Sequence, residues 1–243
     1  MKKLHSERKG LKCLHQNTGT RTMQQMWTEI DAYIDSHLIP EDPILLHALQ
    51  NTEDRGYPDH LAVAPNQGML LQMLIQMNHC KRVLELGTFA AYSTLWLARA
   101  LPDDGYILTI EGREAHAIVA KENIEHAQLK PTIELQVGRA AELLKALPDD
   151  TEAFDFIFID ADKQSYAEYL ELSLNLSHSG TIIVLDNVIR AGDIIKSDNH
   201  KPSIEGIREM FTALKNHPKI LSCTALQTVG SKGHDGLALV LVK

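Results

Sequence analysis

The chain is poor in cysteine, in aromatics and in long apolar runs, and each shortage excludes something. Its three cysteines, Cys13, Cys80 and Cys223, are scattered and odd in number. A disulfide framework is therefore not expected, and a reducing cytoplasm fits best. No apolar run approaches the roughly 18 residues that read as a membrane span. The twelve histidines share no zinc-type spacing with the cysteines. Aromatic residues are only 5% of the chain, so few rings are available to sandwich a flat ligand. Internal repeats and low-complexity segments are missing as well. What remains is 243 residues, 44% hydrophobic and 23% charged, enough for one large α/β domain with a real core.

Basic residues are scarce outside one short stretch. Residues 1–22 hold Lys2, Lys3, Arg8, Lys9, Lys12 and Arg21 against a single acid, Glu7. That is +5 in a chain of net charge −8, which leaves the remainder at −13. A body this acidic does not suit a general nucleic-acid binder, which carries a basic face. Residues 1–22 lack periodicity and are expected to be a disordered basic tail. Residues 23–243 are expected to be one domain, with N-terminal helices over 23–60 and the core over 61–243.

The helix period over 24–38, with Met26, Ile30, Tyr33, Ile34 and Leu38 in phase, predicts a first helix. Pro40 and Pro43 break it, and 44–54 is a second. A third follows Val63-Ala64-Pro65-Asn66, with Asn66 where an N-cap would stand. From residue 82 strands and helices alternate. Strands are expected at 82–86, 106–111, 132–137, 154–160, 180–186, 219–228 and 236–242. Helices are expected at 92–101, 113–127, 139–147, 164–177 and 203–216. Such alternation gives a doubly wound, mostly parallel seven-stranded sheet of Rossmann-like type. The last two strands are joined by Gly230-Ser231-Lys232-Gly233 and should form an antiparallel edge hairpin.

The chemistry centres on Glu85-Leu-Gly-Thr-Phe-Ala-Ala-Tyr-Ser93, a strand, glycine turn and helix start. A helix start offers free N–H groups to an anionic ligand group. A dinucleotide fingerprint would want glycine at 87, 89 and 92, but only Gly87 is glycine; the others are Phe89 and Tyr92. A nicotinamide-dependent dehydrogenase is thus a weak alternative. Ser93 could donate to a carboxylate and Glu85 could face an ammonium, and S-adenosylmethionine carries both groups. Glu111 ends the next strand, placed to accept from ribose hydroxyls.

Two later strands end in acids. Phe154-Asp-Phe-Ile-Phe-Ile runs into Asp160-Ala-Asp-Lys163, and Gly180-Thr-Ile-Ile-Val-Leu runs into Asp186-Asn187. Ligands in such sheets sit beyond the strands' carboxyl ends, so Asp160, Asp186 and Asn187 should converge. Two carboxylates and an amide oxygen are hard ligands suited to Mg²⁺, or to another divalent cation such as Mn²⁺ or Ca²⁺. Lys163 beside that cation is the best candidate for a general base. The long connection 188–201, with Gly192, reads as a lid over the second substrate. Arg190 in it could touch that substrate or pair with an acid.

Taken together, Glu85-Leu-Gly87, Tyr92-Ser93, Glu111, Phe158-Ile-Asp160-Ala-Asp162-Lys163 and Asp186-Asn187 resemble the cation-dependent, S-adenosylmethionine-dependent O-methyltransferases. These include catechol and caffeoyl-CoA O-methyltransferases and small bacterial relatives. The resemblance covers roughly residues 24–243. It implies transfer of a methyl group to a hydroxyl of a catechol-type small molecule, and usually a homodimer. It implies that Val63, Glu85, Gly87, Phe89, Ser93, Glu111, Ala140 and Asp160 line the methyl donor. It also implies that Asp160, Asp186 and Asn187 hold Mg²⁺ and that Lys163 is the base. Ala91 departs from the pattern, where relatives often have glycine. An alternative acceptor is tRNA hydroxyuridine, since bacterial relatives of that kind exist.

Overall fold

A computed structural model describes residues 21–243. The expected tail lies almost wholly outside them, but its end needs correcting. Thr22 belongs to the first helix, α1 (Met23–Leu38), as its N-cap. The Thr22 hydroxyl accepts from Gln25 N at 3.2 Å and the Gln25 side chain accepts from Thr22 N at 2.9 Å, a capping box that satisfies two otherwise unpaired donors. Arg21 pairs with Glu29 at 2.8 Å.

Helix α2 (Pro43–Asp54) starts with Asp42 as its cap and Pro43 at its first position, both favoured there. Helix α3 runs Pro65–Met77, capped by Ala64 rather than Asn66. Pro65 supplies the helix start, and the Asn66 side chain is turned instead to Asp31 on α1, at 3.2 Å. From there the alternation predicted by the sequence holds. The strands are β1 (Arg82–Leu86), β2 (Tyr106–Glu111), β3 (Thr132–Val137), β4 (Phe154–Ile159), β5 (Ser177–Asp186), β6 (Ile220–Gly230) and β7 (Gly233–Val242). The intervening helices are α4 (Tyr92–Ala100), α5 (Glu114–Ala127), α6 (Ala140–Lys145), α7 (Tyr166–Asn175) and α8 (Pro202–Leu214).

The seven strands form one sheet in the order β3-β2-β1-β4-β5-β7-β6. β1 to β5 are parallel, and β7 runs antiparallel to both β5 and β6. The central strands are apolar almost without break because helices cover both faces. Phe156 and Phe158 pack towards α3 and α4 with Leu71, Ile75 and Leu95. Ile157 and Ile159 face the opposite way, towards Leu170, Ile207 and Met210 of α7 and α8. Each such side chain fully buried is worth about 1.5–3 kcal/mol. Among the described residues, no helix is long and apolar enough to cross a membrane.

The order of strands matters for function. It reverses at β1 and β4, so the crevice above their tips is where ligands lodge in such sheets. β5 begins at Ser177, earlier than expected, and the helix expected from 164 is a 3₁₀ turn (Lys163–Ser165) followed by α7.

Candidate active site

β1 delivers the chain to Gly87 at φ +99°, a conformation only glycine takes without strain. A Cβ there would stand 2.3 Å from the Asp160 carbonyl oxygen, so the turn and the end of β4 are in direct contact. Phe89 and Ala91 are also left-handed, at φ +51° and +65°. Ala91 caps α4 in that conformation and is fully buried, which explains why glycine would suit the position. Non-glycine residues there cost about 1–2 kcal/mol each.

This turn forms one wall of a cavity of about 650 Å³. Val63, Gly87, Phe89, Ser93, Glu111, Ala140 and Asp160, seven of the eight residues that the resemblance would place around the methyl donor, all line it. Glu85 does not. Its carboxylate lies fully buried beneath the turn and accepts from Ser93 Oγ at 2.6 Å, from Thr109 Oγ1 at 2.7 Å and from Thr94. Burial pushes its pKa up to about 7 against the pull of those hydroxyls. Glu85 therefore orients Ser93 from below instead of facing the cavity itself. At the other end Glu111 is held rigidly. Its Oε2 accepts from Phe89 N at 2.7 Å, its Oε1 from Arg113 N at 2.9 Å, and His116 Nδ1 is 3.3 Å away. Tyr57, Phe89 and His116 meet edge to face. No spacing in the sequence singled out Tyr57 or His116; they come together from three separate elements.

The acids converge as expected. β4 and β5 are neighbours with Ile159 opposite Leu185, so the next residues, Asp160 and Asp186, stand side by side at the strand tips. Asp160, Asp186 and Asn187 line one cavity of about 610 Å³. Asp186 Oδ2 accepts from Gln67 Nε2 at 2.7 Å and Oδ1 from Asn187 N at 2.7 Å. Burial, and then the charge of Asp160, push the Asp186 carboxyl up to about 7, and Lys163 opposes this. Lys163 Nζ donates to Asp160 Oδ1 at 2.5 Å and is itself mostly buried. Beneath them the fully buried Tyr166 hydroxyl donates to Ile159 O at 3.1 Å and Asp186 O at 2.8 Å, joining the two tips. Among the described residues, no group of three or more histidine, cysteine or acidic side chains could hold a metal ion; this corner offers two acids and an amide.

Comparison with known proteins decides what this crevice belongs to. Residues 36–242 match the O-methyltransferase family. The chain belongs to that family. It is 43% identical over 220 residues to a catechol O-methyltransferase of Niastella koreensis, covering 90% of this chain and 99% of the relative. It is 38% identical to a catechol O-methyltransferase of Mycobacterium tuberculosis, over 88% and 96% of the two chains. Among solved structures, an O-methyltransferase from Bacillus cereus in complex with SAH matches with TM-score 0.87 and 43% identity, covering 91% of this chain and all of the other. TomG of Streptomyces achromogenes, in complex with SAM, matches with TM-score 0.87 and 38% identity, over 92% and 100%. The dehydrogenase alternative falls with these findings.

In this O-methyltransferase the two cavities share Leu61, Ala62, Val63, Asp160 and Asn187, so they meet at the acidic corner. Among the described residues, the second cavity has no aromatic residue other than His60 in its wall. The segment 188–201, expected from its length to be a lid over the second substrate, is tied to the body of the fold. Part of it is a 3₁₀ turn (Arg190–Ile195), and Arg208 on α8 pins it. The guanidinium donates to the carbonyls of Ile194 at 3.0 Å, Lys196 at 2.6 Å and Asn199 at 2.9 Å. Arg190 lines the cavity and also lies 3.7 Å from Asp235 Oδ2, so its pairing with an acid is met. Arg208's hold on this segment was invisible in the sequence, because the oxygens it grips there are backbone carbonyls.

Proposed function

We propose that this enzyme transfers a methyl group from S-adenosylmethionine to a hydroxyl of a catechol-type small molecule, with a divalent cation, Mg²⁺ foremost. The meeting of the two cavities at Asp160 and Asn187 carries this reading. One cavity suits the donor. Glu111 is fixed to accept from ribose hydroxyls, and Ser93, steadied by Glu85, faces the amino acid end. The other cavity takes the acceptor.

The residues at the acidic corner fit a hard cation. The charge of Asp160 raises the cost of charging the buried Asp186 beside it, and both carboxylates, with the Asn187 side-chain amide, are oxygen donors of the kind Mg²⁺ takes. Asp160, Asp186 and Asn187 would hold it. Bound there, a divalent cation supplies Lewis acidity that lowers the pKa of a phenol and fixes vicinal hydroxyls. Gln67 and the Asn187 amide hold Asp186 in place. Lys163 Nζ, placed beside Asp160, takes the proton of the attacking hydroxyl when it stands as the neutral amine. Gly87 packed on the Asp160 carbonyl keeps donor turn and acidic corner in fixed relation, and fixed near-attack geometry can be worth about 7–11 kcal/mol. The exposed Met26, Ile30 and Tyr33 of α1, Met73 and Met77 of α3, and Leu221 and Leu226 of β6 support the homodimer that the resemblance implies.

The test is methyl transfer from labelled S-adenosylmethionine to catechols, flavonoids and tRNA, with Mg²⁺ and with excess EDTA. Mg²⁺-dependent labelling of the vicinal diols is the expected result. Full activity in EDTA removes the cation from the mechanism, and labelling of tRNA alone replaces the acceptor.

A further inference from the structure

The acceptor cavity has an outer wall that the reaction at the strand tips does not require. β5 ends at Asp186, opposite Leu237 of β7. The hairpin continues past that point, pairing from Leu226–Leu237 out to Gly230–Gly233. Four further residues at about 3.4 Å each carry its tip about 14 Å beyond Asp186. Gln227, Thr228, Val229, Gly230 and Gly233 of this overhang all line the cavity. A two-stranded overhang with no sheet beside it is marginal by itself, yet here it is held.

The holding is done by α1. Asp31, only 7% exposed, accepts from Ser231 N at 2.6 Å through Oδ2. Its Oδ1 accepts from Asn66 Nδ2 at 3.2 Å. Gln24 Nε2 donates to Gly230 O at 2.9 Å and Ser231 O at 3.2 Å. Gly230 lies so close that a Cβ would stand 2.3 Å from Asp31 Oδ2. Asn66 precedes Gln67, which grips Asp186. The tip of the hairpin is thus tied, through one buried carboxylate and the first turn of α3, to the acidic corner.

We propose that the acceptor is an extended vicinal diol whose far end rests against this overhang, and that Asp31 is the positioning residue that sets the wall. The proposal rests on the second cavity being the acceptor site. A single ring at the strand tips reaches only the inner end of this wall, whereas a molecule of two or three fused or linked rings extends along it to the tip. Its remote contacts then contribute binding energy that a bare catechol lacks.

The experiment compares catechol with quercetin as acceptors for the full-length protein, for Asp31→Ala and for Gly230→Ala. The second variant pries the latch apart while leaving Asp31 in place. The unaltered protein is expected to favour quercetin at least tenfold in kcat/KM. Each variant is expected to raise the KM for quercetin at least tenfold and the KM for catechol no more than threefold, with the Kd for S-adenosylmethionine held within twofold by calorimetry. Equal treatment of the two diols by the unaltered protein overturns the proposal. So does a parallel loss on both diols in two variants that still bind the donor. If the unaltered protein methylates neither diol, the vicinal-diol reading itself fails, and the latch role fails with it.

Discussion

The two cavities that meet at Asp160 are built in opposite ways. The proposed donor side is built around one local stretch: Glu85 to Ser93 form one turn, and Glu111 ends the adjacent strand, with Val63, Ala140 and Asp160 closing the wall from farther along the chain. Its geometry is forced by backbone, with three residues at positive φ between 87 and 91 and Gly87 wedged on a carbonyl. The acceptor side is assembled from α1, α3, the segment after β5 and the terminal hairpin. Its contacts span as many as 207 positions, as between Gln24 and Ser231. A wall made by a tight turn admits few changes. A wall made by distant side chains can be altered one latch at a time, which suits a family whose members share a donor and differ in acceptor.

The sharpest way to break this comparison is at the corner both sides share. Asp186→Ala, or chelation, should cut turnover by about a thousandfold, since a cation supplies several kcal/mol of charge stabilisation and each 1.4 is tenfold. Donor affinity measured by calorimetry should stay within a few-fold; loss of both together would merge the two sides. Glu85→Gln should act on the donor side through stability. The folded carboxyl has its pKa raised to about 7 from 4.5, so its contribution is full below pH 4.5 and is lost as pH rises through 7. The shift corresponds to about 3 kcal/mol. Denaturant unfolding between pH 4 and 8 should fall with pH in the native chain and fall less steeply in the variant. An identical slope in both would clear Glu85.

Lys163→Met should lower kcat about a hundredfold, the lower end for loss of a general base, while both substrates still bind. Unchanged kcat would send the search for the base elsewhere. The smallest effect belongs to Arg208→Ala. Freeing 193–199 should raise acceptor KM by up to about tenfold, roughly the 1.4 kcal/mol of a hydrogen bond or two, and leave donor KM alone. A rise in donor KM instead would show that the α8 clamp serves the wrong side of the crevice for this account.

How much could be read beforehand follows the same division. The seven strands, the antiparallel hairpin and the acids at the tips of β4 and β5 were legible, because strand period and strand-end chemistry are local. Glu85 was recognised but assigned to the cavity, since spacing does not tell a carboxylate facing a ligand from one buried beneath it. Asn66 was taken for a cap because its side chain's real partner, Asp31, lies 35 positions away. The stretch 188–201 shows a lid's length and glycine, but its residues carry no sign of the arginine that fastens it. Tyr57, His116, Arg208 and Asp31 left no trace in any motif.

One phenol gives the corner its stiffness. Tyr166, wholly buried, spans the last carbonyl of β4 and that of Asp186. Neighbouring strand ends ordinarily splay as their ladder stops, but these two are riveted by a side chain that lines neither cavity. A disturbance entering along either strand is therefore felt by both acids at once, and the crevice responds as one jaw with a common hinge.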